Sequence, residues 1–347
     1  MVMGGEVEQQ ICHVEIADGV GYVRLPEFLT VMEAVAFKQA FQSCCQKHPN
    51  LKKTVIDFAG TRFIDSSGIG ALVNVWKVAK SHQLEFSLSN VASQVMMALS
   101  LAGLDTLFEI QTTESASVAM QADQASDESR RAKAMPMITH PSVISQTKRI
   151  IDIVGALVGL GITGLLFVPI AIAIKIDDPG PIFFGQTRCS YMGQKFRIWK
   201  FRSMVADAEK LKAKLVAEGE NQYGNGKIFK RKDDPRITRV GKFLRKTSLD
   251  EFPQFWNVLK GEMSLVGTRP PTPSEVEEYD IPEWQRLDVK PGITGEWQVN
   301  GRSSIESFEE IIKLDLAYQE KWSLLYDLQI IAKTVLVIFD RKQSGAE

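Results

Sequence analysis

The stretch IVGALVGLGITGLLFVPIAIAI, residues 153–174, is an uncharged run closed by Asp152 on one side and Lys175 on the other. A membrane-crossing helix needs roughly 20 apolar residues, so this run is long enough to enter a bilayer. Pro169 lies inside it. Proline removes a backbone donor and clashes with the preceding turn, so a bend is expected near Phe167–Pro169. Lys148 and Arg149 precede the run, and Lys175, Arg188, Lys195 and Arg197 follow it. Charge bias therefore leaves two topologies open: an anchor with its flanks on opposite sides, or a re-entrant helix–break–helix over 150–176 with both flanks on one side. Basic residues at both ends favour re-entry. Gly155 and Gly159 have the spacing that lets two such helices approach closely, which would allow a homodimer.

Outward from this run the chain divides into two parts of different charge. Residues 1–110 carry a net charge of −3 and residues 148–347 a net charge of +3. The basic excess lies where the apolar run lies, as anionic head groups and phosphorylated substrates favour. A nucleic-acid binder would be far more basic, so nucleic acid is not an expected partner. The four cysteines, Cys12, Cys44, Cys45 and Cys189, have neither zinc spacing nor a disulfide framework, which points to a reducing cytosol. Glu6 and Glu8 stand in an amino terminus without an apolar stretch, so no leader is expected.

Before the run, Val20–Leu25, Lys53–Phe58 and Glu85–Leu88 read as strands, and Ala34–Gln46, Gly70–Lys80 and Val91–Leu101 as helices. Their alternation predicts a small α/β sheet with packed helices over 1–110. Residues 111–147, rich in Ser, Ala, Thr, Gln and Asp, read as a flexible linker, and 148–347 as a second, mixed α/β domain. The late segment Trp322–Phe339 has Leu324, Leu325, Leu328, Ile331, Val335 and Ile338 at helical spacings. It is expected to be an amphipathic helix, resting either on a membrane or in the core.

Two polar turns carry candidate chemistry. In Arg245-Lys246-Thr247-Ser248-Leu249-Asp250-Glu251, adjacent carboxylates lie near Arg245, Lys246 and Arg239. Such cations can keep a carboxylate ionised for attack on phosphorus while a metal ion neutralises a phosphate. Ser248 and Glu251 also fit a capping box, in which starting a helix is their whole role. In Ile64-Asp65-Ser66-Ser67-Gly68, a strand gives way to a helix start whose amides suit an anion; Asp65 or Ser66 as a simple N-cap is the other reading.

The second of these turns, with the strand before it, resembles the STAS domain (sulfate transporter and anti-sigma-factor antagonist) over roughly residues 8–110. The resemblance implies an interaction module in which Ser66, with Ser67 second, is a regulatory phosphorylation candidate for a kinase or signalling partner. Arg24-Leu25-Pro26-Glu27-Phe28-Leu29 departs from the family's usual strand end.

From Lys148 to about 339, the motifs Asp177-Asp178-Pro179-Gly180-Pro181, Lys200-Phe201-Arg202-Ser203-Met204, Asp233-Asp234-Pro235-Arg236, Asp250-Glu251, Gly267-Thr268-Arg269-Pro270 and Lys290-Pro291-Gly292 follow one another in order. In that order they resemble the bacterial sugar transferases, monotopic phosphoglycosyl transferases of the cytoplasmic face of the inner membrane. These enzymes start polysaccharide or glycoconjugate assembly on undecaprenyl phosphate. The resemblance implies that Asp250 attacks the β-phosphorus of a UDP-sugar, UMP leaves, and the polyprenyl phosphate takes the phosphosugar from the aspartyl ester. It assigns Glu251 as magnesium ligand or base, Asp250 and Glu251 as the Mg²⁺ site, and Lys200, Arg202, Arg245 and Arg269 as phosphate ligands. Thr268 stands where the family usually has proline, which leaves the rigidity of the Arg269 loop open. It is also the sole support for a rival reading, an inactive membrane-attached scaffold acting through the STAS-like part.

Overall fold

The computed structural model describes residues 12–111, 139–217, 234–301 and 307–339. Its compact units are two. One comprises the described residues up to His140 together with Tyr191–Gln194 and Glu278–Asp288; the other comprises Pro141–Ser190, Lys195–Glu277 and the described residues from Val289 on.

The first unit is built on a five-stranded sheet of order β1-β2-β4-β6-β7: β1 His13–Ala17, β2 Val20–Arg24, β4 Lys53–Asp57, β6 Glu85–Ser89 and β7 Glu109–Gln111. The β1–β2 hairpin is antiparallel and the remaining neighbours are parallel. Helices α1 (Val31–Lys47), α2 (Ser66–Ser81) and α3 (Ser93–Leu101) connect the strands, and the short pair β3 (Phe28–Leu29) and β5 (Phe63–Ile64) precedes α1 and α2. The three predicted strands and three predicted helices are all present, because each buries apolar side chains: Val23, Ile56 and Leu88 on the sheet, and Phe37, Phe41, Leu72 and Leu99 on the helices. Each such buried side chain contributes roughly 2 kcal/mol. Strand β1 has no apolar run to announce it, since it is an edge strand with most of its residues exposed.

The second unit begins earlier than composition suggested. Pro141–Ile144 (α4) is helical, and Ser145 caps the amide of Lys148 to open α5, Gln146–Asp177, inside the stretch read as linker. Most of the remaining linker lies outside the described residues. In place of the expected break, α5 continues through Pro169 as one helix of 32 residues. Both flanks of the proline are held by packing. Phe167 stacks on Phe183 and Phe201, while Ile170 and Ile174 pack with Phe201 and Leu244.

Strands β8 (Phe183–Cys189) and β9 (Lys195–Phe201) pair antiparallel. They are followed by α6 (Ala208–Ala217), α7 (Arg239–Lys246), a 3₁₀ turn at Leu249–Gln254, α8 (Phe255–Lys260), β10 (Ser264–Val266) and α9 (Pro273–Glu277). After α10 (Ile281–Trp284), which belongs to the first unit, come β11 (Gly292–Thr294), α11 (Glu296–Gly301), α12 (Phe308–Lys321) and α13 (Leu324–Phe339).

One face of α5 is packed along its length. A Cβ on Gly155 would collide with Leu265 and one on Gly159 with the ring of Phe255, so the small-residue face is filled within the unit itself. The opposite face exposes Ile150, Val154, Leu157, Ile162, Leu165, Val168, Ile172 and Ile176, with Leu165 and Ile176 each 79% exposed. The N-terminal turns are fastened by buried polar bonds. Lys148 Nζ lies 2.6 Å from Asp327 Oδ2 and 3.0 Å from the Val266 carbonyl, and Asp152 accepts from Ser264 Oγ and the Leu265 amide, each at 2.9 Å. The C-terminal end is fastened too, by the Val240 amide on Asp177 and by Arg202 on Asp178. Of the two roles expected for α13, the structure bears on core packing. Ile330 packs in the core with Val266 and Tyr318, while Leu325, Leu328, Val335 and Leu336 are exposed.

Candidate active site around Asp250 and Glu251

The 3₁₀ turn Leu249–Gln254 carries both carboxylates of the dyad. The capping-box reading does not hold here: Ser248 has φ +55° and makes no side-chain capping bond. The Glu251 carboxylate instead meets Lys200 Nζ of β9 at 2.9 Å. Asp250 is buried, 7% exposed. Thr163 of α5 donates its hydroxyl to the Gly159 carbonyl at 2.7 Å and lies 3.5 Å from the Phe252 carbonyl, so the turn packs against the apolar helix.

Arg245 closes the other side. It stands in the last turn of α7, with Nε 2.9 Å from Ser203 Oγ. Burial lowers the affinity of its guanidinium for its proton, and the charges of Asp250, Asp234 and Glu251 oppose that shift. This arrangement depends on Gly241, where a Cβ would lie 1.9 Å from the Ser203 carbonyl oxygen; only glycine lets α7 approach Ser203 closely enough for Arg245 to reach it. Of the three cations expected near the dyad, Arg239 and Lys246 are exposed and Arg245 alone is half-buried toward it.

The sequence offered Asp234 and Arg236 within a motif but gave the pair behind Arg245 no role. Arg236 donates to Asp234 through Nε at 2.9 Å and Nη2 at 2.6 Å, and both residues are buried. Burial would raise the Asp234 carboxyl, but the bonds from Arg236 and the nearby charge of Arg245 outweigh it and hold the group below the usual range. The signal was the Asp-Pro-Arg turn itself, whose two-residue spacing permits such a fork.

The remaining predicted phosphate ligands are engaged elsewhere. Arg202 is buried and lies 3.0 Å from Asp178 Oδ2. Arg269 makes a two-pronged pair with Glu275, 3.1 Å on each prong, and this cation holds the Glu275 carboxyl below its usual range despite burial. Thr268, standing where the family usually has proline, is buried, bridges Pro291 in parallel, and accepts the Gly292 amide through its carbonyl at 2.9 Å. Among the described residues no group of three His, Cys, Asp or Glu side chains is placed to hold a metal ion. A magnesium ion that keeps substrate phosphates as ligands needs only one or two carboxylates, so the dyad fits that donor set.

The other predicted turn, in the first unit, is a cap. Asp65 accepts from the Gly68 amide at 2.8 Å at the start of α2. Ser66 and Ser67 are both fully buried; Ser66 Oγ contacts Met192 Sδ at 3.3 Å, and Ser67 Oγ has no hydrogen-bond partner among the described residues.

Comparison with known proteins finds two families in the chain. Residues 12–117 match the STAS domain, and residues 143–341 match the bacterial sugar transferase family. A solved STAS-domain anti-sigma-factor antagonist from Planctomyces limnophilus is 24% identical, covering 31% of this chain and 95% of that one with a TM-score of 0.27. A galactosyl transferase of Streptococcus agalactiae is 51% identical over 55% of this chain and 42% of its own length. The undecaprenyl-phosphate galactose phosphotransferase of Salmonella typhimurium is 41% identical over 56% of this chain and 40% of its own. This chain thus spans less than half of either relative. An exopolysaccharide production protein of Rhizobium meliloti, by contrast, is 38% identical with 83% of its length covered. Since the family match takes in the apolar helix, the Asp250–Glu251 turn and more than half of the sequence, the chain belongs to the bacterial sugar transferase family.

Proposed function

We propose that this protein transfers a phosphosugar from a UDP-sugar to undecaprenyl phosphate at a membrane surface, as the first membrane step of polysaccharide assembly. The observation that carries the reading is a buried carboxylate, Asp250, beside a half-buried Arg245, with its neighbour Glu251 bridged to Lys200. In the first half-reaction an Asp250 carboxylate oxygen forms a bond to the β-phosphorus, the bond from that phosphorus to the bridging oxygen breaks, and UMP leaves. In the second, an oxygen of the polyprenyl phosphate attacks the same phosphorus, and Asp250 departs as a carboxylate. A covalent intermediate lets a soluble donor and a lipid acceptor use one site in turn.

The charge of Asp250 favours the charged form of Arg245, which would receive phosphate oxygens, while its bond to Ser203 fixes its direction and the Asp234–Arg236 pair stands close by. Lys200 exchanges Glu251 for phosphate as substrate enters, leaving Glu251 able to take the proton of the acceptor. Mg²⁺, when bound, would be held by Asp250, Glu251 and phosphate oxygens, and would offset the charge of the pyrophosphate.

The membrane reading rests on α5. Both of its ends bind the same folded unit, its packed face touches the catalytic turn, and its opposite face is apolar and exposed. A spanning anchor with its ends on opposite sides does not suit such packing. Monotopic attachment at the cytoplasmic face, with Thr147 and Asp178 on one side, does. UMP release by detergent-solubilised protein with undecaprenyl phosphate, magnesium and a panel of UDP-sugars tests the proposal. Release that requires both the lipid and one of the sugars supports it; no release with any donor sinks it.

A further inference from the structure

Cations gather where α5 begins, and two of them have no carboxylate to answer them. Arg149 spends its fork on the open end of α8, with Nη1 2.7 Å from the Val258 carbonyl and Nη2 2.6 Å from that of Leu259. Both acceptors are neutral, so they satisfy its donors and leave its charge without a counterion. Lys290, which the Asp250 chemistry does not use, is half-buried and makes no ion pair among the described residues. Burial and the charge of Arg149 pull its ammonium below the usual range; Lys148 adds to this shift and Asp152 opposes it. The other charges nearby are already committed: Lys148 to Asp327, Lys260 to Glu262, and Asp152 to Ser264 and the Leu265 amide.

The two cations line one opening. Gly261 ends α8 at φ +83°, and the three nearest atoms to a Cβ built on it all belong to them, with Arg149 Nη2 at 3.5 Å and Lys290 Nζ at 3.7 Å. The exposed apolar face of α5 starts at the next residue after Arg149: Ile150, Val154 and Leu157 are each more than half exposed. Thr163, where α5 meets the catalytic turn, lies about 20 Å farther along the helix.

We propose that Arg149 and Lys290, over Gly261, bind the phosphate of an anionic membrane lipid whose acyl chains lie along the exposed face of α5. This lipid is structural and distinct from the acceptor that the reaction consumes, because its phosphate stands too far from Asp250. A free phosphate would satisfy the cations equally but would leave the adjoining apolar strip bare; a lipid answers both. The proposal rests on the membrane reading of α5.

The test mixes the full chain in detergent with equal amounts of dioleoyl phosphatidylglycerol and dioleoyl phosphatidylcholine and weighs the intact complexes by mass spectrometry. The parent should retain one phosphatidylglycerol in preference. Lys290→Gln should weaken that retention by about tenfold, the scale of one lost charge-assisted hydrogen bond, and Lys290→Arg should keep it. Gly261→Asp, a residue type that tolerates left-handed backbone, puts a carboxylate into the opening and should expel the lipid to a similar degree. Equal retention of both lipids by the parent, or an unchanged preference in both Lys290→Gln and Gly261→Asp, would overturn the site and leave the membrane reading standing. Retention of neither lipid would overturn both. Displacement of phosphatidylglycerol by inorganic phosphate would make the ligand a soluble anion and overturn the lipid assignment.

Discussion

The turns Asp65-Ser66-Ser67 and Ser248-Leu249-Asp250-Glu251 look alike as sequence, each a small polar cluster opening a helix, but they use their carboxylates differently. Asp65 precedes its helix, and its carboxylate is consumed by capping the Gly68 amide. Asp250 and Glu251 lie inside the first turn, beyond a serine held at φ +55°, and are drawn to cations from other elements. An acid is available for chemistry when the local backbone does not need it and a tertiary neighbour keeps it charged.

The sharpest way to break this contrast is to neutralise each acid in turn. Asp250→Asn, nearly isosteric and not a nucleophile, should lower UMP release by about 10³-fold or more with folding unchanged. Near-parent turnover would return Asp250 to a structural role. Glu251→Gln should slow the reaction by about 10²-fold, the scale of a lost acid–base group. At the other turn, Asp65→Ala should cost about 1 kcal/mol of stability through the lost cap, read as a shift of the chemical-denaturation midpoint, and Asp65→Asn only a few tenths.

The smallest expected effect is a pH dependence. Burial, with the charge of Asp288 acting on Asp65, pushes these carboxyls up to about 7 and about 6 from an ordinary 3.8. Glu33 adds to the shift of Asp65, and the Tyr191 hydroxyl, facing both acids, is raised by burial and by their charge. The folded unit therefore holds these protons more tightly than the unfolded chain, so their contribution to stability is full below about 3.8 and is lost as pH rises to about 7. Protection over Glu278–Asp288, taken relative to the intrinsic exchange rate at each pH, should be higher at pH 5.5 than at pH 8, and Asp288→Asn should flatten that difference. Equal protection at both pH values in the parent would contradict the pairing.

The apolar helix and the sheet strands were legible because each depends on periodicity, and the dyad with Arg245 because they share one charged motif; Lys200 came through the family resemblance alone, and its pairing with Glu251 was not foreseen. The Asp234–Arg236 support and the Ser203 contact were not, since they follow from a close approach that only Gly241 permits. The engagement of Arg269 by Glu275 turns on the short helix α9, whose five residues are too few to show a period. The seating of Glu278–Asp288 on the N-terminal unit was hidden for another reason: its anchors, Trp284 and Ile281, read as ordinary core residues until their partners are known. The continuity of α5 through Pro169 likewise depends on distant aromatic rings rather than on the helix itself.

The central claim is that Asp250 carries the phosphosugar. Incubating the solubilised protein with magnesium and its UDP-sugar but without lipid acceptor, then mapping the protein by mass spectrometry, examines it directly. The account predicts a phosphosugar adduct on Asp250 that is absent from Asp250→Asn and disappears when undecaprenyl phosphate is added. Lipid-dependent UMP release at the parent rate in Asp250→Asn, or an adduct mapped to a different residue, would contradict it.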